Sequence, residues 1–190
     1  HAHGIHIGPD DSVYLVDRES HVVLRYSPEG KLLQTYGNRD RPGVTFYRQP
    51  FNMPTAVALA PSGELFVADG YGNCCVHRLA PDGKLLKTWG EPGKGPGQFA
   101  LVHHVALDRH GRVYICDREN YRVQIFDGEG KFLGQWTDLR MPCNLYIGAD
   151  DVVYMSELGR VAPARVSIWS LEGKLLSSWD TSEYSMSSPH

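Results

Sequence analysis

The chain has 190 residues, 42% of them hydrophobic, and a formal net charge of −3 from 19 basic and 22 acidic side chains. This supplies one ordinary hydrophobic core and argues against a disordered chain or a basic nucleic-acid-binding face. No apolar run approaches the ~20 residues of a membrane-spanning helix, so no membrane partner is expected. No signal peptide is visible, and the chain begins at His1 rather than Met, which leaves the compartment open.

Four segments share one layout, with cores at 8–37, 60–90, 107–136 and 148–179. In the first, Ser12 to Val16 alternates as a strand does, and Val22 to Tyr26 is β-branched and aromatic. A Pro-Glu-Gly-Lys turn follows, and Lys31-Leu32-Leu33 opens another strand that ends near Tyr36. The other three repeat this order. Their aromatic anchors are Tyr14, Phe66, Tyr114 and Tyr154. Three residues after each stands an acid: Asp17, Asp69, Asp117 and Glu157. The turn glycines Gly30, Gly83, Gly130 and Gly173 each precede a lysine. Each repeat closes on an aromatic: Tyr36, Trp89, Trp136 or Trp179. A fifth copy is expected to begin at 187–190. No segment has a capped helical period.

Repeats of roughly 50 residues, each made of several short strands, predict an all-β β-propeller. One propeller domain spans 1–190, with about four blades present. It is expected to be an incomplete piece of a six-bladed ring, whose exposed blade edges invite self-association. Cys74, Cys75, Cys116 and Cys143 lack CxxC spacing and read as free, mostly buried thiols.

One position stands eleven residues before each aromatic anchor and holds His3, Thr55, His103 and Cys143 in turn. The terminal Ser-Pro-His places His190 in the fifth copy of that slot. Equivalent positions on innermost strands share one depth in the central channel. His3, His103 and His190 therefore come from blades one, three and five, set about 120° apart in a six-bladed ring. Three imidazoles with an open position have the form of a catalytic zinc site, though imidazole suits other first-row ions too. His6, His21, His77, His104 and His110 read as structural or surface residues. Cys143 reads as channel packing.

Tyr71 in Asp69–Asn73 and Arg118 in Asp117–Asn120 lie at the same end, with Arg18 at the matching position of the first repeat. A phenol and a guanidinium near a metal suit a proton carrier and a carboxylate clamp. The recurring acids read as acceptors of backbone N–H groups, not as catalytic groups.

These blades resemble the NHL-repeat family of β-propellers, and within it the peptidyl-α-hydroxyglycine α-amidating lyases and their bacterial relatives. The resemblance rests on His-Gly-Ile at His3–Ile5, Pro54-Thr55, Asp-Gly-Tyr-Gly-Asn at Asp69–Asn73 and Trp89–Phe99. It rests also on Val102–Leu107, Asp-Arg-Glu-Asn at Asp117–Asn120 and Pro189-His190. It implies a zinc held by His3, His103 and His190, with Tyr71 and Arg118 as active-site residues. It further implies a structural calcium near the channel axis, with Ile5 contributing a carbonyl. The implied reaction cleaves the C–N bond of a peptidyl-α-hydroxyglycine to give an amide and glyoxylate, so the partner is a small-molecule or peptide substrate. The methionine that precedes Pro-His in the family is Ser188 here, and the family's second active-site arginine lies upstream of the first ligand. A non-catalytic propeller that binds a peptide, protein or glycan is the alternative. Carboxylate-based hydrolases of similar fold fit a histidine slot less well.

Overall fold

The computed structural model describes residues 2–43, 51–160 and 162–180. They form four four-stranded antiparallel sheets, each with its strands side by side in chain order. Blade one holds β1 (Ala2–Ile7), β2 (Val13–Asp17), β3 (Val22–Tyr26) and β4 (Leu32–Gly37). Blade two holds β5 (Pro54–Leu59), β6 (Leu65–Asp69), β7 (Cys75–Leu79) and β8 (Leu85–Trp89). A short parallel pair, β9 (Glu91–Pro92) and β10 (Gln98–Phe99), links it to the next. Blade three holds β11 (Val102–Leu107), β12 (Val113–Asp117), β13 (Arg122–Phe126) and β14 (Phe132–Trp136). Blade four holds β15 (Met141–Ile147), β16 (Val152–Leu158), β17 (Arg165–Ser170) and β18 (Leu175–Asp180). Successive strands in a blade are joined by short turns, as a period-2 pattern broken by glycine predicts. Among the described residues no helix is long and apolar enough to cross a membrane.

The cores lie between blades. Tyr14, Val16 and Val23 of blade one meet Val57, Leu65 and Val67 of blade two. Phe66, Ala68 and Val76 of blade two meet Val105, Ile115 and Phe126 of blade three. Tyr114, Val123 and Trp136 meet Leu145, Met155 and Trp169 of blade four. Strand alternation feeds one neighbour from each face, so no blade buries its apolar surface alone.

The repeated glycine and the repeated closing aromatic have one joint cause. Gly83, Gly130 and Gly173 have φ of +91°, +76° and +82°. A Cβ on them would meet Tyr36 at 3.3 Å, Trp89 at 2.8 Å and Trp136 at 2.3 Å. Each aromatic therefore packs beneath the turn of the following blade. Trp179 has no following blade among the described residues and is 50% exposed.

In blades two to four the recurring acids accept bonds from the loop entering their own blade. Asp69 accepts the Asn52 N–H at 2.9 Å, Asp117 the Ala100 N–H at 2.9 Å, and Glu157 the Arg140 N–H at 2.7 Å. Each is fully buried and has a basic partner. Arg122 bonds Asp117 at 2.8 Å and Arg165 bonds Glu157 at 2.6 Å, each from the paired position on the next strand. In blade two that paired position is Cys75, and His77, two residues on, bonds Asp69 at 3.0 Å instead. Asp69, Cys75 and His77 form a close buried cluster, but their bonds run inside the blade. The cysteines are free, with Cys75, Cys116 and Cys143 buried and Cys74 half-buried.

Candidate functional site

In all four blades the register shifts at one place, between Ala2 and Gly4, Pro54 and Ala56, Val102 and His104, and Pro142 and Asn144. The residue skipped each time is the slot residue: His3, Thr55, His103 or Cys143. A bulged residue leaves the ladder and its side chain is re-aimed, which sends these four toward the channel. They line one cavity of about 250 Å³ together with His104 and Asn144.

Each slot histidine donates from Nδ1 to the carbonyl of the slot residue in the next blade. His3 bonds Thr55 O at 2.8 Å and His103 bonds Cys143 O at 2.7 Å. A carbonyl only accepts, so Nδ1 carries the proton and Nε2 presents its lone pair. The two Nε2 atoms converge on one phenol. Tyr71 Oη is 3.4 Å from His3 Nε2 and 3.2 Å from His103 Nε2. The imidazole rings are 5.2 Å apart, centroid to centroid.

Tyr71 follows the end of β6, and Gly70 sets its position. A Cβ on Gly70 would lie 1.8 Å from the Val102 carbonyl oxygen. Blades two and three therefore approach closely just before Tyr71 and His103. Arg118 opens a short 3-10 turn after β12. It donates from Nη1 to Tyr71 Oη at 3.5 Å and from Nε and Nη2 to Glu119 at 3.1 and 3.0 Å. The site thus holds two neutral donor nitrogens, a phenol and a cation at hydrogen-bonding range.

Burial, reinforced by the positive charge of Arg118, pushes the His103 imidazole down to about 3, although its bond to the Cys143 carbonyl works the other way. His104 is pushed down to about 4, again chiefly by burial, with His6 adding to it. Unfolded histidines take up a proton near pH ~6.5 while these two stay neutral in the fold. The metal-free protein therefore loses stability as pH falls below about 6.5, by up to ~1.4 kcal/mol per pH unit from His103. Urea midpoints of chelator-treated protein at pH 7 and pH 5 check this. A lower midpoint at pH 5 is expected, and equal midpoints contradict it.

Of the residues singled out in the sequence, His3, His103, Tyr71 and Arg118 come together. His190 lies outside the described residues. The Ile5 side chain is largely exposed and Ile5 lines the channel cavity. His6 and His104, read from sequence as structural or surface residues, line a second cavity of about 250 Å³. The bulge explains His104, since it lets two successive residues face the channel. Arg18 was seen in the sequence only as a positional match, but its guanidinium lies 5.1 Å from the Tyr71 ring centroid.

Four antiparallel blades around a channel lined by imidazoles, with a phenol and a guanidinium beside them, define a β-propeller with a polar channel site. The NHL repeat family matches residues 51–79 and 99–126, in blades two and three, so the chain carries NHL repeats. It is 35% identical over 136 residues to human (Homo sapiens) NHL repeat-containing protein 3, covering 68% of this chain and 39% of that protein. It is 38% identical over 138 residues to peptidyl-glycine alpha-amidating monooxygenase of Mus musculus, covering 68% of this chain and 14% of that protein. It is 33% identical over 147 residues to peptidyl-alpha-hydroxyglycine alpha-amidating lyase 1 of Drosophila melanogaster, covering 70% and 27%. The chain thus spans well under half the length of these relatives. Among solved structures, virginiamycin B lyase of Staphylococcus aureus (an inactive H270A form with quinupristin) superposes with a TM-score of 0.68 at 16% identity. That match covers 94% of this chain and 55% of the other, and shows the fold alone.

Proposed function

We propose that this chain carries the channel site of a metal-dependent lyase acting on a peptidyl-α-hydroxyglycine-like carbinolamide. The observation that carries this reading is the convergence of His3 Nε2 and His103 Nε2 on Tyr71 Oη, with Arg118 beside it. The Drosophila melanogaster relative named as an amidating lyase supports it, as does the similarity to an alpha-amidating monooxygenase.

The donor set suits a borderline cation such as zinc. Both imidazoles are locked as Nε2 donors by backbone carbonyls, the arrangement that orients histidine ligands in metal sites. His3 and His103 would hold the ion, with His190 as third ligand in a closed six-bladed ring. A bound zinc acidifies a hydroxyl group that it contacts. Calcium, with the Ile5 carbonyl among its ligands, would be structural.

The chain's own residues account for the proton traffic. Tyr71 Oη takes the proton of the substrate's α-hydroxyl while its own phenolic proton passes to the departing amide nitrogen, the C–N bond breaks, and the electrons of the O–H bond close the aldehyde of glyoxylate. The departing amide nitrogen takes up a proton, so atoms balance and no water is consumed. Arg118 puts a positive charge beside Tyr71 Oη, next to the substrate oxygen that gains negative charge as its proton leaves. The mostly buried wall of Thr55, His103 and Cys143 limits water at the reacting atoms.

Incubating the purified protein with a synthetic α-hydroxyglycine-extended peptide tests this. Peptide amide and glyoxylate released in equal amounts, and abolished by a chelator, are expected. No release above the spontaneous rate would overturn it. The other reading is a propeller that binds a peptide, protein or glycan without turnover; one relative, at 35% identity, is named for its NHL repeats alone.

A further inference from the structure

We propose that Arg18 and Arg118 together form a carboxylate-binding subsite astride Tyr71, with Arg18 a specificity-determining residue. Only the substrate's identity rests on the lyase reading above.

The pattern begins in the repeats. The residue after the recurring acid is Arg18 in blade one and Arg118 in blade three, but Gly70 in blade two and Leu158 in blade four. The slot holds histidine in those same two blades, His3 and His103, and Thr55 and Cys143 in the others. Histidine and arginine thus enter as a couple. Blade two supplies the phenol between the couples: Arg18 lies 5.1 Å and Arg118 5.8 Å from the Tyr71 ring centroid. His3 and His103 stand edge-on to the same ring, at 5.3 and 5.8 Å.

The two arginines differ in how far their donors are committed. Arg118 uses Nε and Nη2 on Glu119 and Nη1 on Tyr71. Arg18 gives Nη2 to Glu19 at 2.5 Å, while its Nε is buried and meets no hydrogen-bond acceptor among the described residues. A buried guanidinium N–H without an acceptor costs stability unless a ligand or a rearrangement supplies one. The Arg18 side chain is 25% exposed, so it is anchored yet reachable.

Charge and shape select the ligand. Each arginine is paired with a glutamate, Arg18 with Glu19 and Arg118 with Glu119, the latter also 3.4 Å from Arg160. That partial neutralisation suits a single negative charge better than a phosphate dianion. The planar guanidinium fork matches a carboxylate. A hydroxyglycine-type substrate carries one, next to the carbon whose hydroxyl must reach Tyr71.

The test compares N-benzoyl-α-hydroxyglycine with its methyl ester in wild type, Arg18→Gln and Arg18→Lys, with folding checked by thermal midpoint. Arg18→Gln should lower kcat/KM for the acid by roughly 30- to 100-fold, mainly through KM, and for the ester by less than about 3-fold. Arg18→Lys should fall between. Equal losses on acid and ester, or no loss, overturn the proposal while the lyase reading stands. Calorimetric titration with hippurate, an unreactive carboxylate, separates the two ideas. Hippurate binding that Arg18→Gln abolishes supports the subsite even if wild type turns nothing over, and in that case the lyase reading alone fails. Hippurate binding that is absent from wild type, or unchanged in Arg18→Gln, counts against the subsite.

Discussion

Replacing Tyr71 with Phe should lower kcat by about 10²- to 10⁴-fold, the usual scale for losing a positioned acid–base group. The phenol oxygen lies within 3.4 Å of both slot Nε2 atoms. The ring stays in Phe, so its edge contacts with His3 and His103 persist. The loss should therefore appear without a shift in thermal midpoint beyond the usual ~0.5 kcal/mol of a mild substitution. KM should move little, because the lost proton transfer is a feature of the transition state. Steady-state kinetics beside a melting curve reads both. Activity within threefold of wild type would remove Tyr71 from the chemistry.

The second large effect is expected at Gly70. An added methyl would sit 1.8 Å from Val102 O, 2.6 Å from its carbonyl carbon and 2.8 Å from its nitrogen. These are backbone atoms of the strand that carries His103, and no rotamer change relieves the clash. The Val102 carbonyl is also held by the Thr55 hydroxyl at 2.9 Å. Blades two and three must separate, at a cost of about 2–4 kcal/mol. Tyr71 would then move away from His103, and activity should fall even in the fraction that remains folded. Urea unfolding and a specific-activity assay of Gly70→Ala check this. A stability change under about 0.5 kcal/mol with full activity would contradict the close approach.

The blades were legible because their signals are local. Strand alternation, the Gly-Lys turns and the acids all lie within one repeat, and the structure puts strands and turns where those signals stand. The slot was legible too, since eleven residues separate it from the aromatic anchor in every copy. What makes the slot special was not. A bulge is a property of pairing between two strands, and nothing in Val102-His103-His104 alone says which residue leaves the ladder. For that reason the place of His104 on the channel was not legible. The nearness of Arg18 to Tyr71 was hidden for a related cause: it arises from stacking two blades whose sequences lie about fifty residues apart. The exchange of Arg122's role for His77 in blade two was likewise hidden, because Cys75 stands at the expected register.

Metal content bears most directly on the account. Protein purified without an affinity-tag metal should carry about one zinc per chain by elemental analysis, as a three-histidine site with an open position requires. His103→Ala should carry less than about a tenth of that while keeping its circular dichroism, since a lost ligand weakens such sites steeply. A folded wild-type protein without metal, or a His103→Ala variant that retains the full complement, would contradict the metal-bound channel.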